Sequence, residues 1–226
     1  MTDNMPDGLP TIVSLNVGRP AWHMSGTAAH GETKWYSGIV KSSITEPVLL
    51  GELNLEGDEQ ADGLNHGGRD KAVLAYAWSH YNHWPSELGR TTLPVAAFGE
   101  NFTLSNCNEA TFCIGDTYEV GAAILQVSQP RQPCWKQERR LDCPGLIVRM
   151  TGSGRTGWYF RVLRAGLVGP GNQFRLVARP NPDWTVEAAN RVMYARPIEV
   201  ARDHSLAACP YLSESWVNTL LRRSPK

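Results

Sequence analysis

Up to about residue 180 the chain consists of short β-branched and aromatic runs interrupted by glycine, proline and asparagine, a punctuation suited to strands joined by turns. Candidate strands are Thr11–Val17, Ile39–Ile44, Val48–Leu53, Ala72–Tyr76, Thr117–Val120, Ile124–Ser128, Trp158–Leu163 and Gln173–Ala178. Their uneven spacing, with few helical stretches between them, predicts a mainly β, largely antiparallel, barrel-like sheet and not a doubly wound parallel one. One helix is expected over Ser79–Leu88, capped by Ser79 and closed by Gly89, and another around Cys143–Met150. After Pro180 the character changes. Thr185 caps an amphipathic helix running to Tyr194, Pro197–Leu206 reads as a second, and Ser213 caps a third over Glu214–Arg222. Three short helices bury little alone, so they are expected to pack on the barrel, on each other or on a partner. The chain divides accordingly into a β domain over residues 1–180 and a three-helix extension over 181–226.

Lysine plus arginine and aspartate plus glutamate balance at 22 each, so no overall field recruits nucleic acid or an anionic membrane, and any phosphate site must be local. Met1–Pro10 holds no apolar run of signal-peptide type and no later stretch has the length of a membrane span, which makes the cytoplasm the expected location. Cysteines stand at 107, 113, 134, 143 and 209, an odd set without C-x-x-C spacing, which argues for reduced thiols over a disulfide framework or structural zinc.

One of these cysteines has an unusual setting. In Gln126-Val-Ser-Gln-Pro-Arg-Gln-Pro-Cys134-Trp-Lys136 the thiol follows an apolar strand, bounded by Pro130 and Pro133 and flanked by Arg131 and Lys136. The cations would stabilise a thiolate and the prolines restrict the loop that presents it. Such a group serves as a nucleophile or as a ligand to a soft metal; the alternative is a buried small hydrophobe. The other four cysteines lack this setting and read as structural.

A second polar segment runs Leu55-Glu-Gly-Asp58-Glu-Gln-Ala-Asp62-Gly-Leu-Asn-His66-Gly67-Gly68-Arg69-Asp70-Lys71, directly before an apolar strand. Consecutive glycines let backbone N–H groups converge on an anion, and Arg69 and Lys71 add charge-assisted donors, with Asp62, His66 and Asp70 placed to orient them. A solvated turn with internally paired charges fits the same residues. Phe98-Gly99-Glu100-Asn101-Phe102 holds polar groups between aromatics and fits a pocket wall or a turn equally. Gly152-Ser-Gly-Arg-Thr-Gly157 matches a dinucleotide fingerprint in form only, since a strand follows it where a helix is required. Arg155 in that run could close over an anion or sit in a surface hairpin. His80 and His83 read as packing residues.

Taken in order, Leu55-Glu-Gly-Asp-Glu-Gln-Ala, His66-Gly-Gly-Arg-Asp-Lys71, Phe98-Gly-Glu-Asn101, Ile114-Gly-Asp116 and Gln126–Cys134 resemble the MOSC family, named for the molybdenum cofactor sulfurase C-terminal domain, in its YiiM-type bacterial branch. The matching motifs span about residues 12–180, and the helices beyond resemble that branch's three-helix extension. The resemblance implies a β-barrel-like domain that binds a molybdenum–pterin cofactor, with Cys134 as its thiolate ligand. It also implies reduction of N-hydroxylated compounds, such as hydroxylaminopurines and hydroxylamines, to amines with electrons from a separate NADPH-dependent flavoprotein.

No flavin or nicotinamide fingerprint occurs in the chain, in keeping with that division of labour. On this reading Arg69, Lys71, Gly67, Gly68, Arg131 and Arg161 are candidates to hold the cofactor phosphate, while Asp62, His66 and Asn101 meet the pterin or orient the cations. His66 is a candidate proton donor, because an imidazole titrates near the working pH, and a purely structural hydrogen bond is the alternative. A non-catalytic carrier of cofactor or sulfur, and a metal-free thiol enzyme, would use the same cysteine. A homodimer is compatible with the sequence, though no feature marks an interface.

Overall fold

The computed structural model describes residues 8–25 and 33–223; most of the Met1–Pro10 segment read above as lacking a leader lies outside them. The elements are β1 (Thr11–Val17), β2 (Ala21–Ser25), β3 (Thr33–Ser37), β4 (Ser42–Ile44), β5 (Val48–Leu50), α1 (Gly63–His66), β6 (Val73–Ala77), α2 (Trp84–Glu87), β7 (Phe102–Ser105), β8 (Thr117–Val120) and β9 (Ala123–Pro130). There follow α3 (Trp135–Leu141), α4 (Leu146–Ser153), β10 (Trp158–Arg164), β11 (Gly166–Val168), β12 (Arg175–Ala178), α5 (Val186–Tyr194), α6 (Val200–Ala207) and α7 (Glu214–Arg223).

Eight strands form one sheet in the order β12-β8-β9-β10-β6-β7-β1-β4, antiparallel except for the β6–β7 pair. The sheet curls into a half-barrel. Its far side returns on β1, where Ile12 N–H donates to Asn172 O at 3.0 Å and Phe174 N–H to Pro10 O at 2.8 Å. Inside lie the rings of Phe112, Trp158, Phe160 and Phe174, with Phe112 and Trp158 centroids 4.7 Å apart. Each such ring removes enough apolar surface from water to contribute about 1.5–3 kcal/mol. A second core, of Tyr76, Trp84, Phe98, Leu141, Leu146 and Met150, fills the space under α2, α3 and α4.

Most expected strands form within a few residues of their expected limits. The strand expected from Ile39 begins only at Ser42, and the one expected to Leu53 stops at Leu50, where Gly51 N–H turns to Asn54 O at 2.9 Å. The helix expected over Ser79–Leu88 is instead a 3-10 turn, Trp78–Asn82, followed by α2. Pro85 explains the break, because its ring excludes an i→i−4 bond through that position. The helix placed around Cys143–Met150 starts later, at Leu146, behind Gly145 in a left-handed conformation at φ 82°. Strands β2, β3, β7 and β11 and helices α1 and α3 were not anticipated.

The C-terminal helices pack on the half-barrel through Val186, Ala189, Leu206, Trp216 and Leu220, which join the main core. Thr185 caps α5, its Oγ1 accepting from Ala188 N–H at 2.9 Å. Arg223 then ties the three helices together: it donates to both oxygens of buried Asp203, at 2.7 and 2.5 Å, and to the carbonyls of Val192 and Met193. No helix among the described residues is long and apolar enough to cross a membrane.

Asp203→Ala strips the half-enclosed Arg223 of its only carboxylate on α6 and is expected to cost about 3 kcal/mol, seen as a lower urea midpoint. Arg191→Ala removes an exposed pair with Glu187 and is expected to shift stability by less than about 0.5 kcal/mol in the same measurement.

Candidate functional site

Strand β9 delivers Cys134. After Pro130, Arg131 N–H donates to Gly157 O at 2.9 Å, holding the chain beside β10 for one more residue. Cys134 then opens α3, its N–H donating to Oε1 of fully buried Gln137 at 2.8 Å while Gln137 N–H donates to Cys134 O at 3.1 Å. These reciprocal bonds fix the backbone that presents the sulfur. The side chain is half-buried, and it belongs to neither hydrophobic core.

The sulfur-bearing residue stands at the boundary of two spaces. On one side is a cavity of about 70 Å³ lined by polar groups, among them Lys41, Asp58, His66, Lys71, Arg131 and Lys136. On the other is a wider groove of about 860 Å³ walled by Trp22, Trp35, Tyr36 and Trp135, with Ser215 and Thr219 of α7 on its edge. Ala61, His66, Lys71, Cys134 and Lys136 line both.

The inner cavity is cationic. Lys71 reaches it while donating to Asn65 O at 2.8 Å, and burial draws its ammonium pKa down, with Asp70 and Asp62 opposing. Arg131 donates from Nη2 to Phe98 O at 2.9 Å, whereas its Nη1 is buried without a partner among the described residues. Lys41 binds Asp58 Oδ1, and burial lowers its pKa despite that carboxylate. Asp58 is itself held by Gly18 N–H at 2.9 Å and Asn101 Nδ2 at 2.9 Å. Gly99, at φ 81°, lets the Phe98–Asn101 turn pass this wall, because a Cβ there would lie 2.5 Å from Ile39 Cγ1.

His66 faces both spaces, and its pKa is lowered by burial first and then by Lys136, with Asp62 opposing. Burial and the neighbouring cations thus favour the neutral imidazole. Its Nδ1 lies 3.6 Å from Asp62 Oδ2, beyond hydrogen-bonding range. Asp62 faces the groove and caps α1: side-chain and backbone hydrogen bonds from Asn65, at 2.9 and 3.0 Å, bring its carboxyl down to about 2.

Several residues expected at the site have other employment. Asn101 lines the cavity, yet its amide is engaged by Leu74 N–H, Asn16 O and Asp58, so it orients the Asp58–Lys41 pair and has no free donor for a heterocycle. Arg69 is exposed and pairs with Glu52 at 2.7 Å. Arg161 is consumed by Asp70 at 2.7 Å, Gln126 at 3.0 Å and Tyr211 O at 2.9 Å, tying the site loop and the C-terminal helices to β10. Gly67 and Gly68 shape the turn from α1 into the 3-10 turn Arg69–Lys71 and do not line the cavity. Arg155 stacks over Trp84 at 4.0 Å and pairs with Glu87, also away from Cys134.

Lys41, Asp58 and Tyr159 line the cavity without having been singled out. Asp58 stood in the polar segment already noted; Lys41 sits in an unremarkable stretch and gave no local signal.

The arrangement fits an anionic group carrying a soft metal. The unpartnered Arg131 Nη1 and three lysines supply donors, and Cys134 supplies a single sulfur ligand. Among the described residues no cluster of three or more histidine, cysteine or acidic side chains could hold a bare ion, so a metal here must bring most of its own ligands.

The MOSC domain model matches residues 62–175, and the YiiM-like, 3-alpha helix domain model matches residues 184–223. The Protein YiiM of Escherichia coli (strain K12) is 36% identical over 189 residues, covering 83% of this chain and 84% of that protein. A protein of Gibberella moniliformis named Reductase is 36% identical over 179 residues, 78% of this chain and 31% of its own length. The crystal structure of YiiM from Geobacillus stearothermophilus superposes with a TM-score of 0.79 at 35% identity, covering 96% of this chain and 100% of that one. With a half-barrel that seats Cys134 against a cationic cavity, and three C-terminal helices packed on that half-barrel, this chain belongs to the MOSC domain family, in its YiiM-like branch.

Proposed function

We propose that the protein is a molybdenum-cofactor-dependent reductase that converts N-hydroxylated compounds, such as hydroxylaminopurines and hydroxylamines, to amines. In the overall reaction the N–O bond breaks, two electrons from a separate NADPH-dependent flavoprotein and two protons are taken up, and amine and water leave. The observation that carries this reading is the position of Cys134 on the cavity wall, with Arg131, whose Nη1 is buried without a partner among the described residues, lining the same cavity. The MOSC family match and the fungal relative named Reductase support it.

When bound, the cofactor supplies a two-electron metal centre at which the N–O bond is reduced. The chain's own residues do the rest. Cys134 ligates the metal through Sγ. Lys41, Lys71, Arg131 and Lys136 hold the anionic part of the cofactor, and Asp58, fixed by Asn101 and Gly18, keeps Lys41 in place. His66 holds an exchangeable proton on its ring. An anion seated among Lys136, Arg131 and Lys71 offsets the charges that depress its pKa and so favours the imidazolium that can give a proton up.

Purification from a host that makes the cofactor, with elemental analysis for molybdenum and fluorescence detection of released pterin, tests the reading directly. Metal- and pterin-free protein would refute it in favour of a thiol enzyme. Retained cofactor without turnover of a hydroxylamine, given a competent flavoprotein, would mark a carrier. Cys134→Ala is expected to abolish molybdenum-dependent reduction while leaving circular dichroism unchanged, and Cys107→Ala to leave the rate nearly untouched. Arg131→Met is expected to lower retained pterin by about tenfold, the loss of one charge-assisted contact to an anion, and wild-type retention would remove Arg131 from the binding set.

A further inference from the structure

The outer groove is built differently from the inner cavity, and Cys134 lies between them. Trp135, next in sequence, is 50% exposed although indoles are normally well buried. It is not loose: it meets buried Trp35 edge-on at 6.1 Å, and it sits in the first turn of α3, whose start is fixed by Gln137. Lys136 lies 5.9 Å from its ring. Across the hairpin, Trp22 is 62% exposed and packs on Tyr36 at 5.2 Å, and both line the same groove. Trp35 behind them has an indole N–H without an acceptor among the described residues. Aromatic surface held rigid and open beside a reactive centre, in a groove of drug-ligand size, is a stacking surface for a flat ring.

We infer that Trp135 is the specificity-determining residue of the substrate groove, with Trp22 at its rim, and that together they favour N-hydroxylated amines on planar aromatic or heteroaromatic rings over small aliphatic ones. This rests on the reductase reading given above. The polar inner cavity takes the anionic cofactor on one side of Cys134, and the aromatic groove takes the substrate ring on the other. The hydroxylamino group then points toward the sulfur-bearing residue while the ring stacks on Trp135. A small aliphatic hydroxylamine reaches the same centre without using the indole.

The test compares wild type, Trp135→Ala and Trp135→Tyr as holoenzymes with their flavoprotein donor, using N-phenylhydroxylamine and N-methylhydroxylamine. Trp135→Ala is expected to raise KM for the aryl substrate by about tenfold, the loss of one stacked ring, with kcat little changed. Its kcat/KM for the methyl substrate is expected to stay within about twofold of wild type, and Trp135→Tyr to recover most of the aryl KM. Binding of adenine to cofactor-free protein, followed by tryptophan fluorescence and calorimetry, is expected to weaken by a similar factor in Trp135→Ala and recover in Trp135→Tyr. Equal losses with both substrates, unchanged adenine binding, or loss of retained pterin in Trp135→Ala would each overturn the inference. If wild type reduced neither substrate the reductase reading would fail, while the adenine titration would still decide whether Trp135 binds flat rings.

Discussion

Strand β9 is hydrogen-bonded along both edges, to β8 and to β10, and everything chemically notable in the chain is arranged around its far end. The ladder to β10 runs from Ile124 to Pro130, with a further bond from Arg131 N–H to Gly157 O. Strand β9 is buried at every position but Ile124, and because successive side chains lie on opposite faces, a slip of one residue would exchange the places of Val127, which packs in the main core, and Ser128. It would also carry Arg131 and Cys134 off the cavity. The helical extension uses the same strand: Ser213 N–H donates to Ser128 O at 3.0 Å and Ser215 Oγ to Gln129 Oε1 at 3.2 Å. One element therefore positions both the thiol and the helix that edges the groove.

The electrostatics follow from confinement. A chain of zero formal charge has no long-range attraction for anions, yet it gathers Lys41, Lys71, Arg131 and Lys136 around one small cavity. Burial opposes keeping ammonium groups charged there, which is why Lys41 and Lys71 are both shifted toward the neutral form. Asp58 offsets part of that cost for Lys41, and Asn101 fixes Asp58. An incoming anion would relieve the remainder, so the cavity is organised for a charge that the chain does not itself provide.

Much of the fold was legible in the sequence because its strands are short, apolar and bounded by turn residues. Thr11–Val17 and Thr117–Val120 form over the residues expected, and α5 and α7 follow their Thr185 and Ser213 caps, whereas the helix expected from Pro197 begins three residues later, at Val200, without a side-chain cap. Strands β2 and β3 were missed since their exposed tryptophan, methionine and tyrosine belong to a hairpin outside the main sheet, where alternation is weak. At the site, Cys134 stood out through its neighbours in the chain. Lys41 did not, because its meaning depends on Asp58, which folding alone brings to it. Arg69 and Arg161 show the converse: cations in or near a suggestive motif whose partners, Glu52 in one case and Asp70, Gln126 and Tyr211 in the other, are determined by tertiary structure.

The three-way attachment of Arg161 has a mechanical consequence. One planar guanidinium joins the loop that carries His66 and Lys71, the strand that leads to Cys134, and the segment leading into α7. Slack in any of these would be transmitted to the other two through a rigid fork. The helical appendage thereby acts as a brace for the loop of His66 and Lys71, and trimming the chain back to its half-barrel would unfasten the very turn it was meant to leave intact.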